Sequence, residues 1–454
     1  MNLPQYPPAG RQRIALRLFV AAAVLASCLV PVWAGERSAG YRAAIESISA
    51  ETLFGHVEHL ADDAFEGREA GTDAARRAAE AIVASLEELG IPPAGTDGYY
   101  QEFDTNYRNV LARLEGSDPE LRGETIVVGA HYDHIGFGTK QSSRGQVGEI
   151  HNGADDNASG VAAVLELAEA FSLLPEPPPR SILFALWDAE EKGLLGSRHW
   201  VAHPTVPLES VRYHFNIDMI GRLRSDEVHL LGARSGFGVR RLFAEMNGDA
   251  DLSLRFPRGV PPISDHHPFV AADIPAVTVH TGIHEDYHRP TDTAEQIDRE
   301  GMWRVTRFAF AAVHELASAA EVPAFRAAAT SESRSRPRAP VGALAPPDAP
   351  LEPDAPPHPQ KPLRVGITWE VDDAEPGAVV LTHVVDDSPA ARAGLKAGDY
   401  VYAVDGEELS HDDLFRERMH AAEDRVELRI DRAGRIRTIA VEIDAPAEVL
   451  QQAA

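Results

Sequence analysis

Acids and histidines gather at five places in the chain where divalent metal could be held. His131 and Asp133 stand in "HYDH", Asp155 and Asp156 in "HNGADDNASG", Glu190 and Glu191 in "WDAEEKG", Asp218 in "NIDMIG" and His288 in "HEDYHRPTDT". Each segment closes or follows a short apolar run, "ETIVVGA", "ILFALW", "YHFNI" or "AVTVH", except the paired aspartates, which precede a helical pattern. Any one of these residues alone is an ordinary loop residue. Together they offer only hard or borderline donors, the set that two closely spaced divalent ions require. A bridging carboxylate, two further ligands for each ion and a shared water make such a centre, and five side chains suffice.

Residues 284–288 also spell H-E-x-x-H, a zinc motif that works only on a helix, where residues four apart share a face. Gly282 stands just before it and Pro290 just after, and the proline disfavours helical backbone at Arg289. The segment therefore reads as a loop leaving a strand. The question becomes whether one of its histidines belongs to another metal site whose other members lie elsewhere in the chain.

Strands must deliver these residues. "ETIVVGAH", "SILFALWD", "RYHFNIDMI", "EVHLLGA" and "AVTVHTG" read as buried strands, and "DAARRAAEAIVASLEELG" and "SGVAAVLELAEAFSLL" as helices between them. That alternation predicts an α/β domain with a mostly parallel central sheet covered by helices on both faces. Ligands in such folds bind beyond the carboxyl ends of the strands, where the acids and histidines fall.

With 454 residues, 44% hydrophobic and 25% charged, the chain can bury a large core and hold more than one domain. A formal charge of -27 without a basic stripe argues against a nucleic-acid partner. Cys28 is the only cysteine, so no disulfide within the chain and no thiolate metal site can form. Residues 1–34 read as a signal peptide: Arg11, Arg13 and Arg17 precede the apolar "LFVAAAVLASCLV", and Val32-Trp33-Ala34 offers a cleavage site. The protein is then periplasmic or extracellular with no transmembrane span after signal removal, while "LASC" at 25–28 leaves a lipid anchor on Cys28 as the alternative. Residues 326–362 hold ten of the 33 prolines among alanine and serine and read as a linker, semi-rigid at ~3.1 Å per residue where polyproline II forms. It separates a unit at 35–325 from a small one at 363–446.

"HYDH", "NGADDNASG", "WDAEEKGLLGS", "NIDMIGR" and "EDYHRPTDT", in this order, resemble the co-catalytic di-zinc aminopeptidase family, with "LADDAFEGREAGT" and "NVLARLEG" leading into them. The likeness spans roughly residues 45–320. It implies a three-layer zinc-exopeptidase fold with a mixed central sheet, two Zn²⁺ ions and hydrolysis of N-terminal residues from peptides. Carried over by position, it makes Asp155 the bridge, His131 and Asp218 the ligands of one ion, and Glu191 and His288 those of the other. Glu190 becomes the general base and Tyr287 a donor to the oxyanion. Asp133 then holds the His131 imidazole, Asp156 supports the ligands from behind without touching metal, and a cis peptide joins Asp155 to Asp156. Glutaminyl cyclases share the fold, so aminoacyl transfer is one alternative and a non-catalytic peptide-binding protein another. "SDHHPF", with Ser264, Asp265, His266 and His267, reads as support or a helix cap at the site's edge, and His134 and His151 as surface or supporting residues. "AVVLTHVVDDSPAARAGLKAGDYVYAVDGEEL" and the strands after it resemble a bacterial PDZ domain. That implies a carboxylate-binding loop at Leu363, Arg364, Val365, Gly366 and Ile367, and protein C-termini as possible partners.

Overall fold

The computed structural model describes residues 38–334 and 363–443. The signal segment, Cys28 and most of the proline-rich stretch lie outside the described residues. Strands β1 (Tyr100–Phe103), β2 (Tyr107–Leu114), β3 (Thr125–His131), β4 (Ser181–Trp187), β5 (Val211–Ile217), β6 (Glu227–Leu231), β7 (Ser253–Arg255) and β8 (Ala276–His280) form one sheet in the order β1-β2-β4-β3-β5-β8-β6-β7. Its centre, β4-β3-β5-β8, is parallel, and antiparallel pairings β2/β4 and β8/β6 flank it. β3 and β4 are buried along their whole length, which is why they read as continuous apolar runs rather than alternating ones.

Helices α1 (Ala50–Leu60), α2 (Asp73–Glu88), α3 (Gly160–Ser172), α4 (Leu195–Ala202), α5 (Val239–Met246), α6 (His266–Ala271), α7 (Arg299–Ser318) and α8 (Ala328–Arg334) cover the sheet. α1, α3 and α7 pack together on one face, and α4, α6 and α8 on the other. Side-chain caps set the starts of several: Ser49 Oγ accepts from Thr52 N, Thr72 Oγ1 from Ala75 N and Asp298 Oδ1 from Gly301 N. Trp187, Trp200 and Phe269 fill the second face and are almost wholly buried. α8 begins at the third residue of the stretch read as linker, so regular structure runs further than composition implied; Arg326, just before it, is buried and donates to Asp373 and Glu332. Among the described residues no helix is long and apolar enough to cross a membrane.

Glu166 on α3 is 2% exposed; its Oε2 accepts from Ser49 N at 3.2 Å while Oε1 has no partner. Burial pushes its carboxyl up to about 7. The folded chain therefore holds a proton that the unfolded chain releases near pH 4.5, and the stability this contributes falls as pH rises from there through about 7. Glu166→Gln is expected to leave stability at pH 5 nearly unchanged and to raise it at pH 8 by about 1–3 kcal/mol, read from urea denaturation at the two pH values.

Residues 363–443 form a separate antiparallel sheet of β9 (Ile367–Glu370), β10 (Val379–Val384), β11 (Tyr400–Val404), β12 (Glu407–Glu408), β13 (Arg425–Arg432) and β14 (Arg435–Glu442), with α9 (Pro389–Arg392) and α10 (Asp412–Ala421). Ser388 caps α9 through Ala391 N, and Gly394, Gly398 and Gly406 turn with φ of +80 to +89°, as "SPAA" and the glycine spacing predict. β9 is an edge strand. At the loop before it Val365 and Ile367 bury their side chains in the core while Gly366 N donates to Leu363 O within the loop.

This unit is clasped to the larger one through charged groups. The Arg240 guanidinium, on α5, lies 3.9 Å from the Tyr400 ring centroid and donates to buried Asp431 at 2.6 Å, and Glu375 accepts from the first N–H groups of α5, Arg240 N and Arg241 N. Leu254 N at β7 donates to Ala433 O, and Arg234 pairs with Asp372. Removing Arg240 leaves Asp431 buried without its cation. Arg240→Ala is expected to cost about 3 kcal/mol and to split one calorimetric unfolding transition into two.

Candidate metal centre and active site

The parallel strands end along one edge, and their last residues build the site. His131 is the final residue of β3; Asp188 to Glu191 follow β4; Asp218 follows β5; the loop 281–292 follows β8. The turn 285–288 is not helical and His288 has φ +55°, as the flanking Gly282 and Pro290 predict.

His131 Nε2 lies 3.3 Å from Asp156 Oδ1 and 3.4 Å from Asp218 Oδ1; His288 Nε2 lies 3.1 Å from Asp156 Oδ2 and 3.2 Å from Glu191 Oε1. Asp156 thus presents one oxygen to each pair. Asp155, expected to bridge, faces away: its Oδ1 accepts from Gly221 N and Ser159 Oγ, and its Oδ2 lies 3.1 Å from His284 Nε2. The cis peptide joins Asp156 to Asn157 rather than Asp155 to Asp156. Asp292 sets this register by accepting from both Asp155 N and Asp156 N at 3.1 Å, which aims the second carboxylate, not the first, into the cleft.

The buried donors suit divalent cations. His131 Nε2 and His288 Nε2 have no hydrogen-bond partner although carboxylate oxygens surround them. Their other nitrogens are tied to carbonyls, Asp133 O at 3.1 Å and Ser142 O at 2.9 Å, which places the Nε2 lone pairs toward the acids. The Asp133 carboxylate itself accepts from Glu190 N at 3.0 Å and Glu191 N at 3.3 Å, so its main work is to shape the Glu190–Glu191 turn, with His131 Nδ1 3.6 Å away. Burial opposes an imidazolium at His288, yet Glu191 and Asp156 hold its ring up at about 11, and contacts with Asp133, Asp156 and Asp218 likewise outweigh burial at His131 and raise it well above 6.5. Burial would raise Glu191, but His288 first, and His134 with it, bring its carboxyl down to about 2. A cluster this acidic collects positive charge, as protons where no metal is bound.

Glu190, Asp156, Glu191, Asp218 and His131 line a cleft of about 470 Å³ that includes some open solvent. Met219, Leu231, Ile263, Ile283 and Tyr287 add apolar groups to its lining. Burial, with Glu191, Asp265 and Asp218 nearby, pushes the Glu190 carboxyl well above its ordinary range. Burial likewise raises the Tyr287 phenol, which stays a neutral donor, its ring stacked on His288 at 3.9 Å and covered by Arg144.

Other residues hold the site from behind. Arg68 is 1% exposed and its guanidinium donates to the carbonyls of Leu60, Tyr132, Asn152 and Gly153, stitching the end of β3 to the loop that carries Asp156. It lies in "EGREAGT", Asp292 in "RPTDT", and neither carries a pattern that marks a role. Ser264 Oγ donates to Asp218 Oδ2 at 2.7 Å and Asp265 accepts from Ser197, so both support the site and neither side chain caps α6. His151 is a buried support bonded to Ser143, whereas His134 is buried beside Glu191 rather than on the surface.

Residues 109–313 match peptidase family M28 and residues 364–443 match the PDZ domain. Over residues 109–313 the chain is similar to family M28 peptidases. Aminopeptidase YwaD of Bacillus subtilis is 32% identical over 205 residues, 42% of this chain and 41% of its own length. The probable lipoprotein aminopeptidase LpqL of Mycobacterium tuberculosis is 28% identical over 234 residues, 43% of this chain and 42% of its own. The chain thus spans about two fifths of the length of these relatives. The LapA aminopeptidase of Legionella pneumophila has the same fold, with a TM-score of 0.53 at 21% identity over 71% of this chain and 81% of that one. The mixed sheet with helices on both faces is the part that shares this fold, and the antiparallel sheet beyond it lies in the region matched to the PDZ domain.

Proposed function

We propose that the protein is an exported aminopeptidase that removes N-terminal residues from peptides at a centre of two zinc ions. The observation that carries this reading is the Asp156 carboxylate, whose two oxygens face His131 and His288 at 3.3 and 3.1 Å in a cluster with Asp218 and Glu191. His131, Asp156 and Asp218 would hold one ion, and Asp156, Glu191 and His288 the other. Bound there, zinc supplies Lewis acidity toward a peptide carbonyl and toward water.

The remaining work belongs to the chain's own groups. Glu190, half-buried in the cleft, takes a proton from the attacking water as its carboxylate and hands it to the leaving amine. Tyr287 keeps its phenol proton and donates it as a hydrogen bond to the developing oxyanion. The acidic groups of the cleft suit a free α-ammonium group, and Met219, Leu231, Ile263 and Ile283 suit an apolar first side chain. The β9 edge and the backbone of residues 363–367 would take a protein C-terminus as an added strand. Names of relatives support the activity: YwaD is an aminopeptidase and LpqL a probable lipoprotein aminopeptidase. Export rests on the signal-like residues 1–34.

The test is a panel of aminoacyl-nitroanilides and N-acetylated peptides with and without chelator. Release from free N-termini, fastest for leucine-like residues and stopped by chelator, is expected. Cleavage of N-acetylated substrates at equal rate would contradict exopeptidase action.

A further inference from the structure

We propose that His134 is a fourth protein ligand of the metal position formed by Asp156, Glu191 and His288, so that the two positions are unequal. This rests on reading the cluster as a metal centre. His134 Nδ1 lies 3.0 Å from Glu191 Oε1 and 3.7 Å from Asp156 Oδ2, the same two oxygens that His288 Nε2 faces at 3.2 and 3.1 Å. Donors at 2.0–2.2 Å from a tetrahedral zinc stand about 3.3–3.6 Å from one another; three of these four separations fall slightly short of that edge and one slightly beyond it. The four side chains bring one donor each within 4.8 Å of all the others.

The fold holds the ring there. His134 N donates to Arg68 O, and the ring packs on Gly153, where a Cβ would stand 2.6 Å from it and where φ is +61°. The His134 and His288 rings meet at 83° with centroids 5.5 Å apart, so two imidazoles approach one point from crossed planes. His134 Nδ1 hydrogen-bonds Glu191 Oε1 at 3.0 Å, while its Nε2 has no hydrogen-bond partner. The rival arrangement keeps that bond when metal is bound; as a ligand, Nδ1 gives it up for the ion.

The consequence is a division of roles. Four protein ligands close a zinc position, while three leave a place for water or substrate. The closed position then retains its ion, and the His131–Asp156–Asp218 position, which shares the cleft with Glu190, is the open one that exchanges.

The experiment strips the full chain with chelator, returns one equivalent of zinc alone and counts imidazoles per zinc by X-ray absorption, alongside zinc affinity by competition. Two imidazoles per zinc are expected, falling to one in His134→Ala, with the first zinc weakened more than ~100-fold, beyond what loss of an outer hydrogen bond costs. His134→Gln keeps an N–H donor and serves if the alanine variant does not fold; it is expected to lose the imidazole and the affinity alike. One imidazole in the wild-type protein, or affinity preserved in His134→Gln, would overturn the proposal while leaving the proposed aminopeptidase intact. Failure of zinc to bind at all would overturn both.

Discussion

Replacing Asp156 by asparagine is expected to take zinc content from about two per chain to below one and to lower kcat/KM by at least ~10³, because both positions lose a charged donor at once. Among the described residues no other side chain in the cleft faces two histidines from opposite oxygens. Asp155→Asn is the informative companion. The Asp155 carboxylate accepts from Gly221 N and Ser159 Oγ, and an amide oxygen can still accept both, so zinc content is expected to stay near two while stability drops by about 1–2 kcal/mol. Metal analysis after dialysis, together with thermal unfolding, separates the two variants. Equal zinc loss in both would mean that the loop rearranges on metal binding and that the register set by Asp292 is not the functional one.

The second large effect is expected at Glu190. Glu190→Gln keeps the shape and the backbone bond from Glu190 N to Asp133 Oδ1 but cannot accept a proton. General base catalysis contributes ~10²–10⁴-fold, so kcat should fall by about 10³ with KM within a few-fold of wild type and zinc content unchanged. Retained activity would move the proton transfer to another group in the cleft. Loss of zinc together with activity would make Glu190 a ligand rather than a base.

The sequence showed the site through strand ends. His131, Glu190, Glu191, Asp218 and His288 all follow apolar runs, and a parallel sheet must bring the ends of such runs to one edge; the family-like motifs then placed them in one cluster. Adjacent residues were the hard case. Asp155 and Asp156 differ only in which way the backbone turns, and that turn is fixed by Asp292, which lies 136 residues beyond Asp156 in sequence and is visible only once the chain is folded. His134 was illegible for a related reason. Three residues past His131, it looks like one more polar loop residue until Gly153 and Arg68 are seen to seat it. Arg68 binds only backbone carbonyls, so no side-chain pattern accompanies it. The smaller unit was legible in its turns, because Gly394, Gly398, Gly406 and Ser388-Pro389 each dictate local backbone. Its clasp onto α5 was not, since Arg240, Glu375 and Asp431 are ordinary charged residues until they meet.

The measurement that tests the central claim most directly is an anomalous difference map at the zinc edge from crystals grown with zinc. Two peaks are predicted, one on each side of the Asp156 carboxylate, the first beside His131 and Asp218 and the second beside Glu191 and His288. A single peak, or peaks flanking Asp155, would contradict the account.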